Sequence, residues 1–290
     1  MPESLSIILP AKNEADSLVH LLPELRRRYP VAEIIVIDDG SSDNTAEICA
    51  QSEVKCVRHA HSLGNGAAIK HGARFASGKV LVFMDADGQH DPADIDRLLE
   101  HLHSGFDMVV GARDAASQAS LARRIANGVY NRLASWIVRR PVQDLTSGFR
   151  VVRAKKFRRF LYLLPNGFSY PTTITMSFFR AGYLVDYIPI RAARRQGKSH
   201  INLLHDGLRF LLIIFKVGTL YSPLKIFVPI SVFFFLMSIS YYSYTYLTTA
   251  RFTNMGLLLF TSSVLIFLIG LVSEQITTLM YQNQHVDNEN

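Results

Sequence analysis

Short apolar runs that each end in polar residues recur through the first part of the chain, and two long apolar runs lie near its end. Leu5–Leu9, Glu33–Ile37, Val54–Arg58, the run from Val80 and Met108–Gly111 are short and mostly apolar, as buried strands are. Between them, Glu14–Arg28, Thr45–Gln51, Asn65–Ser77 and Asp94–His103 predict helices. Ser42 or Asp43 can cap the second of these helices, and Asp91-Pro92 reads as N-cap and first residue before the fourth. The β-α-β-α alternation predicts an α/β fold, a largely parallel sheet with helices on both faces. After Gly111 the rhythm breaks. Ser120–Val138 predicts a helix, Asp144–Phe149 a loop, Lys155–Leu164 a basic helix and Leu184–Ile190 a last strand.

The two long runs change the picture. From Leu224 to Leu247 the only charge is Lys225, and from Phe252 to Ser273 there is none. Each is near the roughly 20 residues that span a bilayer. They predict a transmembrane hairpin, about 224–247 and 253–279, turning around Ala250–Asn254. Pro229 falls early in the first span, where a kink is tolerated. Tyr241, Tyr242, Tyr244 and Tyr246 crowd its far end as an interfacial belt does, and Glu274 reads as near the interface. In His200–Lys216, residues Asn202, His205, Asp206, Arg209 and Lys216 can share one face, which suits a helix lying in the membrane interface. The expected organisation is a catalytic domain over 1–199, an amphipathic juxtamembrane region over 200–222, the hairpin over 223–281 and a polar tail over 282–290.

Charge is unevenly placed. Residues 1–120 carry 11 Lys and Arg against 18 Asp and Glu, whereas residues 121–216 carry 18 against three. The net charge of +7 therefore belongs to the block before the hairpin. Basic residues mark the cytosolic side and attract anionic lipid. With a hairpin following, lipid phosphate is a better partner than nucleic acid. Cys49 and Cys56 lack metal-ligand spacing, so a reducing compartment is expected. Met1–Leu9 has no basic segment of the kind that opens a signal peptide. The expected placement is a cytosol-facing catalytic domain with both termini inside.

Candidate chemistry centres on Val80–Pro92. A buried strand runs into Asp85, Asp87 and Asp91, although an unpaired buried charge costs several kcal/mol. Ligands of α/β sheets sit at the carboxyl ends of strands. In extended backbone Asp85 and Asp87 face one way, so both can meet one cation, with Gln89 adding an oxygen. Hard oxygen donors suit Mg²⁺ or Mn²⁺ completed by substrate phosphates. Pro10–Glu14 and Asp38–Asp43 end two more strands at the same edge. A nucleotide diphosphate fits that edge, with Asp38 or Asp39 accepting from a base N–H or ribose hydroxyl. Two other motifs fail: Gly64-Asn-Gly66-Ala-Ala-Ile69 lacks the third glycine of a dinucleotide fingerprint, and Gly197-Lys198-Ser199 lacks the first glycine of a P-loop. The latter can still be a mobile anion-binding loop.

Ser-Ile-Ile-Leu-Pro-Ala-Lys-Asn-Glu14, Val-Ile-Asp-Asp-Gly-Ser-Ser-Asp43 and Met-Asp-Ala-Asp-Gly-Gln-His-Asp-Pro92, in this order, resemble family 2 of the glycosyltransferases, which has the GT-A fold. Asp144-Leu-Thr-Ser-Gly-Phe-Arg150 and Arg195-Gln-Gly-Lys-Ser199 before a hairpin are similar to its polyprenyl-phosphate branch, which includes dolichyl-phosphate mannose synthase. The resemblance implies inverting transfer of a sugar from a nucleotide-diphosphate sugar to polyprenyl phosphate. Pro10, Asn13, Glu14, Asp38, Asp39 and Lys70, with Asp85, Ala86 and Asp87, are the candidate donor contacts. Arg123, Arg124, Ser147, Arg150, Arg195, Lys198 and Ser199 are the candidates for the acceptor phosphate. Asp87, Arg150 and Asp144 are the candidate catalytic residues, with Asp144 orienting a cation or the sugar. A phosphate acceptor is already ionised and needs no strong general base. His90 is expected to cap structure, and Arg26-Arg27-Arg28 to be a solvated helix end. The alternatives are transfer to a glycan or protein hydroxyl, and a non-catalytic membrane scaffold. The sugar, the base and any homo-oligomer stay open.

Overall fold

The computed structural model describes residues 3–113, 121–167, 170–191, 215, 218–251 and 253–286. The chain divides into two compact units, Met1–Ile201 and Asn202–Asn290.

The first unit is built on a sheet of seven strands: β1 Leu5–Ala11, β2 Glu33–Asp38, β3 Lys55–Arg58, β4 Val80–Phe83, β5 Met108–Arg113, β6 Arg150–Arg153 and β7 Val185–Ile190. Their order is β3-β2-β1-β4-β6-β5-β7. β6 runs antiparallel to β4 and β5, and the other pairings are parallel. The helices are α1 Ala15–Arg28, α2 Thr45–Gln51, α3 Asn65–Phe75, α4 Asp94–His103, α5 Leu121–Val138, α6 Ala154–Arg158 and α7 Tyr170–Arg180. β1 shows why both faces are covered. Ile7 and Leu9 join a core with Leu18, Leu22 and Leu25 of α1 and Ile95, Leu98 and Leu102 of α4. Ile8, of opposite pleat, meets Gly72 of α3, where an added Cβ would collide with the Ile8 Cγ2. Burying these side chains contributes about 1.5–3 kcal/mol each before the entropy of ordering is set against it.

Two elements depart from the sequence expectation. β6 was absent from it. Its four residues, Arg-Val-Val-Arg, are too short and too charged to register as a strand. α7 was absent too: its Pro171, Thr172, Thr173, Ile174 and Thr175 disfavour helix by propensity. Complete burial overrides this, and Thr175 Oγ1 and Ser177 Oγ return hydrogen bonds to the carbonyls of Pro171 and Thr173, at 2.7 and 2.8 Å. The basic helix expected over Lys155–Leu164 is only α6, followed by turns. The amphipathic segment 200–216 lies outside the described residues, Phe215 excepted.

β6 positions the site. Because it is antiparallel, its first residue, Arg150, pairs with Phe83 at the carboxyl end of β4. The preceding loop, 144–149, is thereby delivered to the edge where β1, β2 and β4 end.

The second unit holds α8, Pro223–Thr249, and α9, Asn254–Val286. Spans of 27 and 28 residues within them, of mean hydropathy 1.9 and 2.5, are long and apolar enough to cross a membrane, and little of either is buried. Small residues recur every seventh position on the buried faces, Ser231, Ser238 and Thr245 on α8, and Gly256, Ser263, Gly270 and Thr277 on α9. A seven-residue repeat keeps one seam facing a partner helix, and small side chains let backbones approach. Ser231 Oγ donates to the Ser263 carbonyl at 3.0 Å and Ser238 Oγ to that of Gly256 at 2.9 Å. The Glu274 carboxylate accepts the Leu224 amide at 3.3 Å, satisfying an orphan donor of the first turn of α8.

Candidate functional site

A cavity of about 450 Å³ opens at the carboxyl edge of the sheet. Pro10, Ala11, Lys12 and Glu14 supply one side from the end of β1, and Asp85, Ala86 and Asp87 follow β4. Asp39, Ser62, Gly64, Asn65 and Ala68 line it from the β2 and α3 side, and Thr146, Gly148, Tyr170 and Pro171 from the β6 and α7 side. Of the expected donor contacts, Pro10, Glu14, Asp39, Asp85, Ala86 and Asp87 meet here.

The others do structural work. Asn13 takes a positive φ of 57°. Its Oδ1 accepts the Ser42 amide at 2.8 Å and its own amide donates to Ser41 Oγ at 2.9 Å, tying the β1 and β2 loops together. Asp38 is buried, accepts the Ser41 amide at 2.8 Å and lies 3.2 Å from Arg58 Nε. Lys70 is not among the cavity-lining residues; it donates to the Leu164 carbonyl at 3.1 Å and to Asn166 Oδ1 at 2.5 Å. These bonds tie α3 to the 164–167 turn. Gly66 explains the tightness of that tie, since an added Cβ would collide with the Pro165 carbonyl. Gln89 is not among the cavity-lining residues, and its amide caps Asp87 Oδ1 at 3.1 Å.

Asp39 is engaged on every side. It accepts from His59 Nδ1 at 2.7 Å, Ser62 Oγ at 2.7 Å, and the amides of Leu63 and Gly64 at 2.8 and 2.9 Å. Burial pushes its carboxyl up, but these donors outweigh burial and hold it below the usual carboxylate range. His59 Nε2 in turn meets His71 Nδ1 at 2.8 Å.

Asp144 is buried beside the end of β5. The Arg113 guanidinium grips it through Nε at 2.8 Å and Nη2 at 3.1 Å, and the Thr146 amide and hydroxyl donate to it, each at 3.0 Å. Burial raises its carboxyl, and Arg113 more than reverses this, leaving it below the usual range. Arg113 had no role in the sequence expectation. The signal was its place, the last residue of a strand at the ligand edge.

Arg150 corrects the expectation of a phosphate clamp. Its side chain is fully buried, and burial lowers its pKa. It donates to the Pro171 carbonyl at 3.3 Å, Thr175 Oγ1 at 3.1 Å and the Ser147 carbonyl. It is not among the residues that line the cavity. Ser147 is equally buried, with its hydroxyl unpartnered. His90 stacks on Phe149, centroids 4.9 Å apart, and its Nε2 lies 3.7 Å from Asp85 Oδ2. The side chains of Arg123 and Arg124, and all of Arg195, Lys198 and Ser199, lie outside the described residues.

The expectation missed Ser62, Asn65, Thr146, Gly148, Tyr170 and Pro171. Gly64-Asn-Gly66 fails as a dinucleotide fingerprint, yet its loop still forms a cavity wall.

Comparison with known proteins accords with this geometry. The solved structure of glucosyl-3-phosphoglycerate synthase from Mycobacterium tuberculosis with Mn²⁺, UDP and phosphoglyceric acid superposes with a TM-score of 0.60 at 19% identity, over 75% of this chain and 79% of that one. Glycosyltransferase AglJ of Haloferax volcanii is 26% identical over 77% of this chain and 75% of its own length. Undecaprenyl-phosphate 4-deoxy-4-formamido-L-arabinose transferase of Salmonella paratyphi B is 37% identical over 45% of this chain, a match that spans only 43% of that relative. Residues 222–279 match the family profile of the GtrB C-terminal hairpin. Residues 6–161, which hold β1 to β6 and the carboxylates at their ends, match the profile of Glycosyl transferase family 2, and the chain is a glycosyltransferase belonging to that family, with the GT-A fold.

Proposed function

We propose that the protein is a membrane-anchored inverting glycosyltransferase that moves a sugar from a nucleotide-diphosphate sugar to polyprenyl phosphate, with Mg²⁺ or Mn²⁺. The observation that carries this is the pair Asp85 and Asp87 in one cavity at the sheet's carboxyl edge, in a chain that also bears two apolar helices. The acceptor named for the arabinose transferase and the Mn²⁺ and UDP named for the synthase support it.

The carboxylate pair fits such an ion. Among the described residues no three His, Cys, Asp or Glu side chains are grouped to hold a metal by themselves. Asp85 keeps 37% of its side-chain surface exposed. Two carboxylates completed by diphosphate oxygens are the donor set that Mg²⁺ and Mn²⁺ take. Bound there, the ion would neutralise charge on the leaving diphosphate. Pro10, Ala11, Asp39 and Ser62 wall the end of the cavity that suits the nucleoside. A lipid phosphate oxygen bonds to the anomeric carbon as the carbon–oxygen bond to the diphosphate breaks, with inversion. No proton leaves the acceptor. Arg113, aligned by Asp144 and still 30% exposed, joins Arg123, Arg124, Arg195, Lys198 and Ser199 as a candidate for the acceptor phosphate. The basic block supports a catalytic domain and both termini on the cytosolic side.

The test uses the full chain in detergent with Mn²⁺, labelled UDP- and GDP-sugars, and undecaprenyl phosphate. Label should move to the lipid with at least one donor, and Asp87→Ala should lower the rate by a factor of about 100 or more. Absence of transfer across the panel refutes the proposal. Transfer that proceeds without lipid phosphate points to a hydroxyl acceptor.

A further inference from the structure

We propose that Tyr170 is a positioning residue for the carboxylate pair, fixing Asp85 through the backbone of Gly148. The inference rests on the metal-dependent donor site proposed above. Tyr170 is only 1% exposed, yet it borders the cavity. Its hydroxyl donates to the Gly148 carbonyl at 3.2 Å. Gly148 in turn lies directly against Asp85. A Cβ at that position would stand 3.0 Å from Asp85 Oδ2 and 3.2 Å from Oδ1. On its other flank, Asp85 Oδ2 faces His90 Nε2 at 3.7 Å, and His90 is stacked on Phe149. Asp85 is thus flanked by Gly148 of loop 146–149 and by a histidine stacked on Phe149 of that loop. Where that loop sits decides where the carboxylate sits.

Arg150 explains how Tyr170 is itself held. Its guanidinium lies 5.7 Å from the Tyr170 ring centroid and donates to the Ser147 carbonyl on one side and the Pro171 carbonyl on the other. It therefore bridges the loop and the first turn of α7. Its Nε finds no acceptor, and no carboxylate is within ion-pair distance among the described residues. A buried cation satisfied this poorly costs stability. Its presence is accounted for by the two cavity walls it locks together. Pre-organisation of this kind is what a metal site requires, since ligands displaced by a fraction of an ångström bind weakly.

Tyr170→Phe keeps the ring and removes only the hydrogen bond. The full chain in detergent is titrated with Mn²⁺ in saturating UDP, and in parallel with GDP, by calorimetry. Loss of one hydrogen bond predicts about fivefold weaker Mn²⁺ binding. The thermal midpoint should fall by no more than the about 2–4 °C that one hydrogen bond accounts for, and kcat at saturating Mn²⁺ should change less than the Mn²⁺ concentration for half-maximal rate. Gly148→Ala should also weaken Mn²⁺ binding, because its Cβ would stand 3.0 Å from Asp85 Oδ2 and the carboxylate must shift to make room. Parent-like Mn²⁺ affinity in Tyr170→Phe overturns the inference, as does a fall in Mn²⁺ affinity accompanied by a thermal midpoint lowered by more than about 4 °C. If the parent protein binds Mn²⁺ with neither nucleotide, the donor reading is refuted and this inference with it.

Discussion

Asp144→Asn removes one charge and almost no volume from the loop that walls the cavity. In the parent, Asp144 accepts two guanidinium bonds from Arg113, at 2.8 and 3.1 Å, and two bonds from Thr146, both at 3.0 Å. The aspartate side chain is 6% exposed and that of Arg113 30%. Breaking a buried pair by removing one partner costs about 3–5 kcal/mol, since it strands the other charge. Arg113 is partly solvated and keeps its bond to Thr146 Oγ1 at 2.6 Å, which lowers the figure to about 2–3 kcal/mol. An asparagine oxygen still serves Thr146, but its amide meets the Arg113 donors head-on. For a unit of this size each kcal/mol moves the thermal midpoint by about 2–4 °C, so a drop of roughly 4–12 °C is expected. Circular dichroism melts of the full chain in detergent measure it. Arg113→Met alone and in combination should show a coupling of about 1.5 kcal/mol or more in a double-mutant cycle. A midpoint within 2 °C of the parent, or additive single effects, would show that the pair does not hold this loop.

Gly270→Leu should force the hairpin apart, because its Cβ would lie 2.7 Å from Phe227 Cβ. Ser231 and Ser263 face each other, their hydroxyls 3.4 Å apart, so a cysteine pair there should oxidise readily in a background with Cys49 and Cys56 replaced, and slowly with Gly270→Leu. Equal crosslinking would contradict the seam. Gly66→Ala should cost several kcal/mol by driving α3 from the Pro165 carbonyl, read as a lowered midpoint and lost nucleotide binding. Acid should destabilise the first unit. Asp39 and Asp144 sit below their ordinary values, so the unfolded chain binds protons first as pH falls. Their contribution is complete above about pH 4 and is lost below it as the folded groups titrate. Midpoints measured from pH 6 to 3 should fall, and less steeply in Asp39→Asn and Asp144→Asn; parallel curves would refute the assignment.

The legible part of the fold was the part built from local pattern. Strands β1, β2, β4 and β5 and helices α1, α3 and α4 announce themselves because each buries an apolar set at its own period, and the carboxylates after β2 and β4 stand out because a strand end is where they are tolerated. β6 and α7 were illegible for a common reason. Both owe their state to tertiary burial around Arg150, which overrides charge in one and β-branching in the other. The site followed suit. Asp85, Asp87 and Asp39 could be found one strand at a time. Thr146, Gly148 and Tyr170 could not, because only the antiparallel insertion of β6 brings their loops to the cavity. The protein partners of Lys70 and Arg150 were not legible, because a cation in a sequence shows its charge and not its partners. The heptad of small residues in the hairpin was present in the sequence but hidden under the stronger hydropathy signal.

The occupancy of the carboxylates bears on the acceptor. A hydroxyl acceptor must lose a proton as it attacks, and its base needs an unoccupied lone pair and a pKa tuned toward neutrality. Asp39 has four donors on its two oxygens, Asp144 accepts from the guanidinium and amide of Arg113 and from the amide and hydroxyl of Thr146, and both are held below the ordinary carboxylate range. Neither is built to take a proton. Asp85 and Asp87 front the cavity where a divalent ion and diphosphate would claim them, and an ion lowers carboxylate basicity further. An acceptor that arrives ionised asks nothing of these groups. What it needs instead is a cation held in place, and the Asp144 carboxylate, poor as a base, is well made to hold Arg113. The fully paired carboxylate and the basic block are both what the proposed phosphate acceptor would ask for, a nucleophile that already carries its charge.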